Sequence, residues 1–265
     1  MCVFPPPLNP LPRGEGRLKP VRQSTYNCNK LMSYQNTMKR IPEPELMNDP
    51  VQVATYAGPY LDNGYWLFIQ RFRKFFPGLA PNGAILDLGC GPATIPLRLA
   101  RLFPHCEIHG VDGAFHMLAS GRAAVLREGL EDRVRLFHGI LPDILPLPRE
   151  RYEIVVSNSF LHHLADPMVL WNAVHKYSLP HAAVLIIDLL RPKNDEAAEF
   201  VVDTYVPDAP PLLREDMLLS LHAAYTLDEI SAQLQEANLA ENLTLTMASP
   251  LQFAAYGYLK WTDEE

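Results

Sequence analysis

One short stretch, Ala84-Ile85-Leu86-Asp87-Leu88-Gly89-Cys90-Gly91-Pro92-Ala93-Thr94, constrains the fold of this 265-residue chain more than any other. An apolar run that carries a carboxylate near its end and then turns through two glycines reads as a buried strand feeding a helix. Glycine at 89 and 91 permits positive φ and leaves no Cβ, so a ligand can lie against the backbone at the mouth of that helix. By itself a Gly-x-Gly is equally a tight strand-to-helix turn. The next segment narrows the choice. Cys106-Glu107-Ile108-His109-Gly110-Val111-Asp112 has the pattern of a second parallel strand. Its closing acid lies about twenty residues past the glycines, where a carboxylate can accept both hydroxyls of a ribose. A nucleotide-like cofactor is expected.

Beyond residue 84, strand and helix patterns alternate: strands at 84–88, 107–112, 133–138, 152–157 and 182–189, with helices at 93–103, 114–128 and 166–177. That alternation specifies an α/β fold with a doubly wound, mostly parallel sheet. Ahead of it, Asp49-Pro50 forms a helix start, with Asp49 as cap and Pro50 at the first helical position. A second helical pattern over 65–76 sets Trp66, Leu67, Ile69, Phe72, Phe75 and Phe76 against Arg71, Arg73 and Lys74. The two make a helical N-terminal cap over 44–78. After Asp188 the pattern breaks into a proline-rich insertion, 191–225, over the edge of the sheet where ligands of open α/β sheets bind. Thr226-Leu227-Asp228-Glu229 is a capping box that opens a last helix, and two strands follow around a turn at Ser249-Pro250.

The dinucleotide fingerprint wants a third glycine or alanine where this chain has Thr94, and it calls for no acid before the first glycine, so Asp87 and Thr94 weigh against an NAD-dependent oxidoreductase. From about Arg40 to the C-terminus the sequence resembles the class I S-adenosylmethionine-dependent methyltransferases. Their first motif is close to Asp87-Leu88-Gly89-Cys90-Gly91-Pro92, and their second ends in an acid like Asp112. The resemblance implies a seven-stranded Rossmann-like sheet ending in an antiparallel hairpin, with S-adenosylmethionine as cofactor. It implies that Gly89, Cys90 and Gly91 pass under the methionine portion and that Asp87 organises its amino group. Asp112 and Gly113 are expected at the ribose, and Phe115 or Met117 beside the adenine. Many relatives place an acid after the glycine that ends the third strand. Here Gly139 is followed by Ile140 and Leu141, so backbone groups there, or Asp143 further on, are expected at the adenine.

The fourth strand ends Ser157-Asn158-Ser159-Phe160-Leu161-His162-His163. In the resembling family this stretch faces the transferring methyl. The paired histidines resemble its small-molecule branch, and the Asn-Pro-Pro-Tyr form that grips a planar amide or base nitrogen is absent. Asn158 is expected at the methionine amine or the acceptor. A neutral imidazole is the natural proton acceptor near pH 7. His162 is expected to face the pocket as general base and His163 to pack beneath the sheet edge. The cap supplies Tyr56 and Tyr60 as candidate acceptor contacts, and the insertion supplies Tyr205, Met217 and Tyr225.

A net charge of -7 would repel a phosphate backbone, so a small-molecule acceptor with no nucleic-acid partner is expected. A protein or RNA methyltransferase and a non-catalytic cofactor-binding scaffold are the alternatives. The four cysteines, Cys2, Cys28, Cys90 and Cys106, show no metal-ligand spacing, so no metal and a reducing cytoplasmic setting are expected. No apolar run approaches the roughly twenty residues of a membrane span. Residues 1–40 crowd Pro5, Pro6, Pro7, Pro10, Pro12 and Pro20 without apolar periodicity. They are expected to be a disordered extension or to precede a true start at Met32 or Met38, with the catalytic domain over 41–265.

Overall fold

Five segments rich in branched and aromatic residues, each separated by a helical pattern or a turn, pair as parallel strands and take a terminal hairpin onto one edge. The computed structural model describes residues 38–43, 49–56, 62–142 and 147–260. These belong to the unit Met38–Glu265. The expectation for residues 1–37, and for Tyr60 and Asp143, lies outside the described residues. Described elements run, in chain order, α1 (Pro50–Tyr56), α2 (Asp62–Phe75), β1 (Ala84–Leu88), α3 (Thr94–Leu102), β2 (Glu107–Asp112), α4 (Phe115–Glu128), β3 (Val134–His138) and β4 (Tyr152–Asn158). A 3-10 turn, Leu161–His163, follows. Then come α5 (Met168–Tyr177), β5 (Ser178–Leu189), α6 (Asp195–Tyr205), α7 (Pro211–Ala223), α8 (Leu227–Glu236), β6 (Leu243–Ser249) and β7 (Gln252–Tyr258).

The strands form one seven-stranded sheet in the order β3-β2-β1-β4-β5-β7-β6. All neighbours are parallel except β7, which runs antiparallel to both β5 and β6. Strand order reverses between β1 and β4, and ligands of open α/β sheets bind at that switch point, outside the carboxyl ends of the strands. The loops after β1 and β4 carry the glycines and the histidine pair, so the topology brings two distant motifs to one crevice.

Both faces of the sheet are buried, and the period of two along each strand divides the core. Leu86, Leu88, Val155, Val184, Ile186 and Phe253 pack on one side with Leu170, Trp171 and Val174 of α5 and with Ile230 and Leu234 of α8. Ile85, Ile108, Ile154, Val156, Leu185 and Ile187 pack on the other with Phe68, Phe72 and Phe76 from the cap and with Leu97 and Leu99 of α3. The buried Trp171 indole N–H donates to Gln233 Oε1 at 3.0 Å, which ties α5 to α8. The expected capping box closes as read: Glu229 N–H donates to Thr226 Oγ1, and Thr226 N–H donates to the Glu229 carboxylate.

The insertion is two helices, α6 and α7. They build a third cluster from Ala198, Val202, Leu213 and Leu221 against Leu189, Leu251 and Met38. Met38 is buried, its N–H donates to the carbonyl of Lys193, and Arg40 reaches three carbonyls in two other segments. Residues 38–40 pack with the unit Met38–Glu265. Apolar surface decides this: Met38 fills a place that the insertion leaves open.

His109 of β2 is fully buried, with Nδ1 2.9 Å from the Tyr152 hydroxyl. Burial, helped by Arg135 and Arg149 and opposed by Glu107, pushes its pKa down to about 4. An unfolded histidine takes up its proton near pH 6.5. Between those values protons bind the unfolded chain preferentially, so stability is intact above pH 6.5 and falls as pH drops toward 4. Thermal unfolding across this range should show that decline, and His109→Phe should flatten it. An equal slope in the variant would place its origin in another group.

Candidate active site

The loop after β1 is laced to the end of β2 by backbone donors. Gly89 and Cys90 N–H both donate to the carbonyl of Val111, at 2.9 and 3.0 Å. Gly91 N–H donates to Asp112 Oδ2 at 2.8 Å, and Ala114 N–H to Oδ1 at 2.7 Å. The two glycines have different reasons to be glycine. At Gly89, φ is +75 and a Cβ would meet the Phe160 ring at 2.3 Å, so packing against the loop after β4 requires the missing side chain. At Gly91, φ is +52 and a Cβ would meet nothing within 4 Å. Open space beside bare backbone is what a ligand needs. Cys90 is buried with Sγ over Gly110, where a Cβ would come within 2.7 Å of it, so only its backbone remains for a ligand.

Asp87 is buried, and among the described residues neither of its carboxylate oxygens has a hydrogen-bond partner. Desolvation first, and the nearby Asp112 second, raise its pKa well above the usual carboxylate range. A cation delivered by a ligand would reverse both effects. Asp112 is also raised by burial, against its two backbone donors. Each of its oxygens holds one N–H and keeps a lone pair for a hydroxyl. A buried, unpartnered carboxylate beside a half-buried one fits a ligand that carries both positive charge and vicinal hydroxyls.

Around the ends of β2 and β3, Gly139 N–H donates to the carbonyl of Asp112, and His138 Nε2 lies 3.1 Å from the carbonyl of Gly113. Phe115 and Ile140 are both more than half exposed, which is unusual for apolar side chains beside a crevice. Met117 is instead buried in a small cluster with Val53 and Ala114, against Tyr56, and Leu141 packs on the core. The expectation of a ligand-facing Met117 is corrected: its side chain points from α4 toward α1, which fixes the cap.

After β4, Asn158 is half-buried with Nδ2 3.3 Å from Ser159 Oγ. The histidine pair is arranged opposite to expectation. His162 is buried, whereas the His163 side chain keeps a fifth of its surface. The cause is Asp188 at the end of β5, a buried carboxylate that accepts four hydrogen bonds. Phe160 N–H (2.7 Å) and Leu161 N–H (2.5 Å) reach Oδ2, while His162 Nδ1 (2.6 Å) and Leu189 N–H (2.6 Å) reach Oδ1. Burial disfavours charge on both partners, but their pairing prevails, raising the imidazole and lowering the carboxylate. His163 Nδ1 lies 2.5 Å from Glu43 Oε2, and Ser220 Oγ donates to Glu43 Oε1 at 2.6 Å. Burial would raise Glu43, yet His163, His162 and Ser220 hold it at about 2.

Arg40 donates to the carbonyls of Ala223, His162 and Leu164 and lies over the Tyr225 ring at 4.0 Å. The Tyr225 hydroxyl donates to Leu164 O, so this side chain latches the loop to the insertion. Tyr205 is exposed, and its charged neighbour is Arg71. Tyr56 and Met217 are partly buried at the third cluster, and Tyr56 is raised by burial, by Asp216 and by Glu43. The structure thus brings Tyr56 toward the histidine side and gives Tyr225 a structural partner. Sequence reasoning missed Arg40, Glu43 and the role of Asp188. Only Asp188 left a signal, as an acid inside an otherwise apolar strand.

Strand order 3-2-1-4-5-7-6 with a glycine loop after β1 and an acid ending β2 defines the methyltransferase variant of the Rossmann-like class. Residues 85–178 match the family model described as methyltransferase domain. Over 106 residues the chain is 35% identical to the release factor glutamine methyltransferase of Geobacter sulfurreducens, a match covering 40% of this chain and 36% of the relative. Over 109 residues it is 28% identical to the ribosomal RNA small subunit methyltransferase C of Pseudomonas syringae, covering 40% and 31%. The matched region spans about a third of these relatives' length. Among solved structures, a SAM-dependent methyltransferase from Aquifex aeolicus superimposes with a TM-score of 0.57 at 17% identity, over 80% of this chain and 98% of that one. The plantazolicin methyltransferase BpumL, solved with SAH, gives 0.60 at 12% over 80% and 92%. These matches support a methyltransferase domain over residues 85–178, set in the fold of S-adenosylmethionine-dependent methyltransferases.

The expected small-molecule acceptor without a nucleic-acid partner is overturned. Relatives in this family are named for a release factor, for ribosomal protein uL3 and for ribosomal RNA. Net charge averages over the whole chain, whereas an acceptor meets only the crevice and its rim. No described helix is long and apolar enough to cross a membrane.

The two glycines should separate by experiment. Gly89→Ala combines left-handed strain with overlap on Phe160 and should cost about 2 kcal/mol or more, lowering Tm by roughly 5 °C. Gly91→Val should fold but bind no nucleoside ligand in calorimetry. Wild-type binding by Gly91→Val would remove this loop from the site.

Proposed function

We propose that this chain transfers a methyl group from S-adenosylmethionine to a nucleophile presented at the crevice between the loops after β1 and β4. The observation that carries the reading is the unpartnered, buried Asp87 beside the open face of Gly91. The cofactor supplies a methyl already activated by its sulfonium, so the protein's work is binding, alignment and exclusion of water. Asp87 neutralises the ammonium of the methionine portion, and the backbone of Cys90 and Gly91 lines its path. Asp112 accepts the ribose hydroxyls on lone pairs left by its two backbone donors, with Gly113 beside it. Phe115 and Ile140, whose exposed apolar faces follow adjacent strands, cover the adenine edges, and the Gly139 and Leu141 backbone closes that side. Asn158 orients the methionine amine or the acceptor. The acceptor approaches from the cap side, where Tyr56, His163 and Glu43 converge.

The domain that matches the family is the cofactor half, residues 85–178. The cap and the insertion, which would shape the acceptor, lie outside it. Acceptor class is therefore read by experiment. Labelled methyl from the cofactor should be followed into protein, RNA and low-molecular-weight fractions of a cell extract, and one fraction should be labelled in a chain-dependent way.

Removing the ribose acceptor should be costly. Asp112→Ala should weaken S-adenosylmethionine binding by about 2–3 kcal/mol, roughly 10²-fold, in isothermal calorimetry. Unchanged affinity in a folded variant would sink the assignment. Asp87→Asn removes the charge but keeps the shape, and it should weaken the cationic donor more than the neutral demethylated product.

A further inference from the structure

We infer that Glu43, His162 and His163 form a binding site for a divalent transition-metal ion at the acceptor side of the crevice. One ligand atom from each residue can be chosen so that all three lie within 4.8 Å of one another. Two imidazoles and one carboxylate suit zinc and its first-row neighbours, and not magnesium or calcium, which take oxygen ligands. The sequence gives no hint of this, because Glu43 lies more than a hundred residues from the histidines and the chain lacks Cys/His metal spacing.

The surroundings of the three residues carry the argument further than their proximity. A metal-binding histidine typically donates its other ring N–H to a carboxylate, which fixes tautomer and orientation. His162 does this: Nδ1 is held by Asp188 at 2.6 Å, which leaves Nε2 as the ligating nitrogen. Asp188 is fixed in turn by three backbone N–H groups. Glu43 is oriented from outside as well, by the Ser220 hydroxyl on Oε1. Two of the three ligands thus have a dedicated partner behind them. The rings of His162 and His163 lie beside one another, 4.1 Å apart at 36°. Ligand atoms around a tetrahedral zinc with bonds near 2.1 Å stand roughly 3.3 Å apart. The Glu43 to His163 contact of 2.5 Å needs to open by less than 1 Å to admit the ion.

The charges of the site admit a divalent ion. Glu43 and Asp188 bring two negative charges to a largely buried place, and the nearby cation, Arg40, is engaged by three carbonyls and the Tyr225 ring. With both imidazoles neutral, a divalent ion leaves a net charge of about +1 there, which an anionic acceptor would cancel. Three protein ligands leave positions open. On the proposed methyl-transfer reading, on which this step alone rests, an acceptor oxygen or nitrogen would occupy one of them and lose its proton more readily. That proton goes to solvent, the acceptor lone pair forms the bond to the methyl carbon, and the electron pair of the broken C–S bond stays on sulfur as a neutral thioether.

The test uses the full chain, stripped with a chelator and titrated with Zn²⁺, with Co²⁺ as spectroscopic probe. One equivalent of Zn²⁺ should bind at micromolar Kd or tighter, Co²⁺ should show visible ligand-field bands, and Mg²⁺ should not compete. Glu43→Gln and His163→Ala should each weaken Zn²⁺ by at least ~10²-fold while still unfolding cooperatively and keeping S-adenosylmethionine affinity. Should either variant fail to fold, Ser220→Ala, which removes only the outer partner of Glu43, should still weaken the ion about 10-fold. Absence of tight stoichiometric Zn²⁺, or equal binding in the variants, overturns the site and leaves Glu43 and His163 as a hydrogen-bonded pair. Tight Zn²⁺ in a chain that binds no S-adenosylmethionine would defeat the proposed function and leave the metal site standing.

Discussion

Asp188 is the point on which the catalytic edge of this molecule is organised. An isolated carboxylate is rarely left this deep, because removing its charge from water costs several kcal/mol even after relaxation. Here the cost is offset by four donors, two backbone N–H groups from the loop after β4, the N–H of Leu189 at the end of β5, and the ring of His162. Satisfying one charge therefore fixes the path of the chain after β4 and the end of β5 together. Phe160, placed by that path, closes on Gly89, and the loop after β1 takes its shape from the contact. Through Asp188, the acceptor side and the cofactor side of the crevice are built as one piece.

The parts of the fold that were legible in the sequence are those whose cause is local. β1, the glycine turn and β2 could be read because alternation, missing Cβ atoms and a closing acid all act within about twenty residues. The capping box at Thr226 and the hairpin at Ser249-Pro250 are equally local, and both stand where they were expected. The burial of the histidine pair, deeper for His162 than for His163, was not legible. Adjacent residues on an irregular turn have no period to assign them faces, and the group that draws His162 inward is 26 residues away on another strand. Glu43 was invisible for the same reason in stronger form, since its partners arrive through the cap, the loop after β4 and the insertion. Met117 illustrates a third kind of miss: its burial with Val53 depends on a cap helix whose docking no local pattern encodes.

A similar division separates the cofactor from the acceptor. On the proposed reading, backbone groups and two carboxylates recognise what every donor of this class shares, so one strand-turn-strand unit suffices, and it falls in the region that matches the family model. On the same reading acceptor recognition falls to α1, α6 and α7, which come together in a cluster of their own around Leu189 and Leu251. A fold-level likeness at 12–17% identity speaks to the first set of elements and not to the second. The overall acidity of the chain was a poor guide for the same reason: it sums over surfaces that no acceptor touches.

The electrostatics of the crevice carry a direction. Asp87 and Asp112 are both raised by burial, and each is near enough for Asp112 to raise Asp87 further. Such a pair is costly to keep ionised without a cation and stabilised with one. On the proposed reading the donor brings an ammonium and a sulfonium, whereas the product has lost the sulfonium charge. The protein groups stay fixed while the ligand changes charge, so the two carboxylates favour donor over product by Coulomb terms that a low-dielectric site strengthens. Methyl transfer then weakens the hold on its own by-product, and the burial that makes Asp87 look uncomfortable in isolation becomes the feature that lets the site exchange one nucleoside for the next.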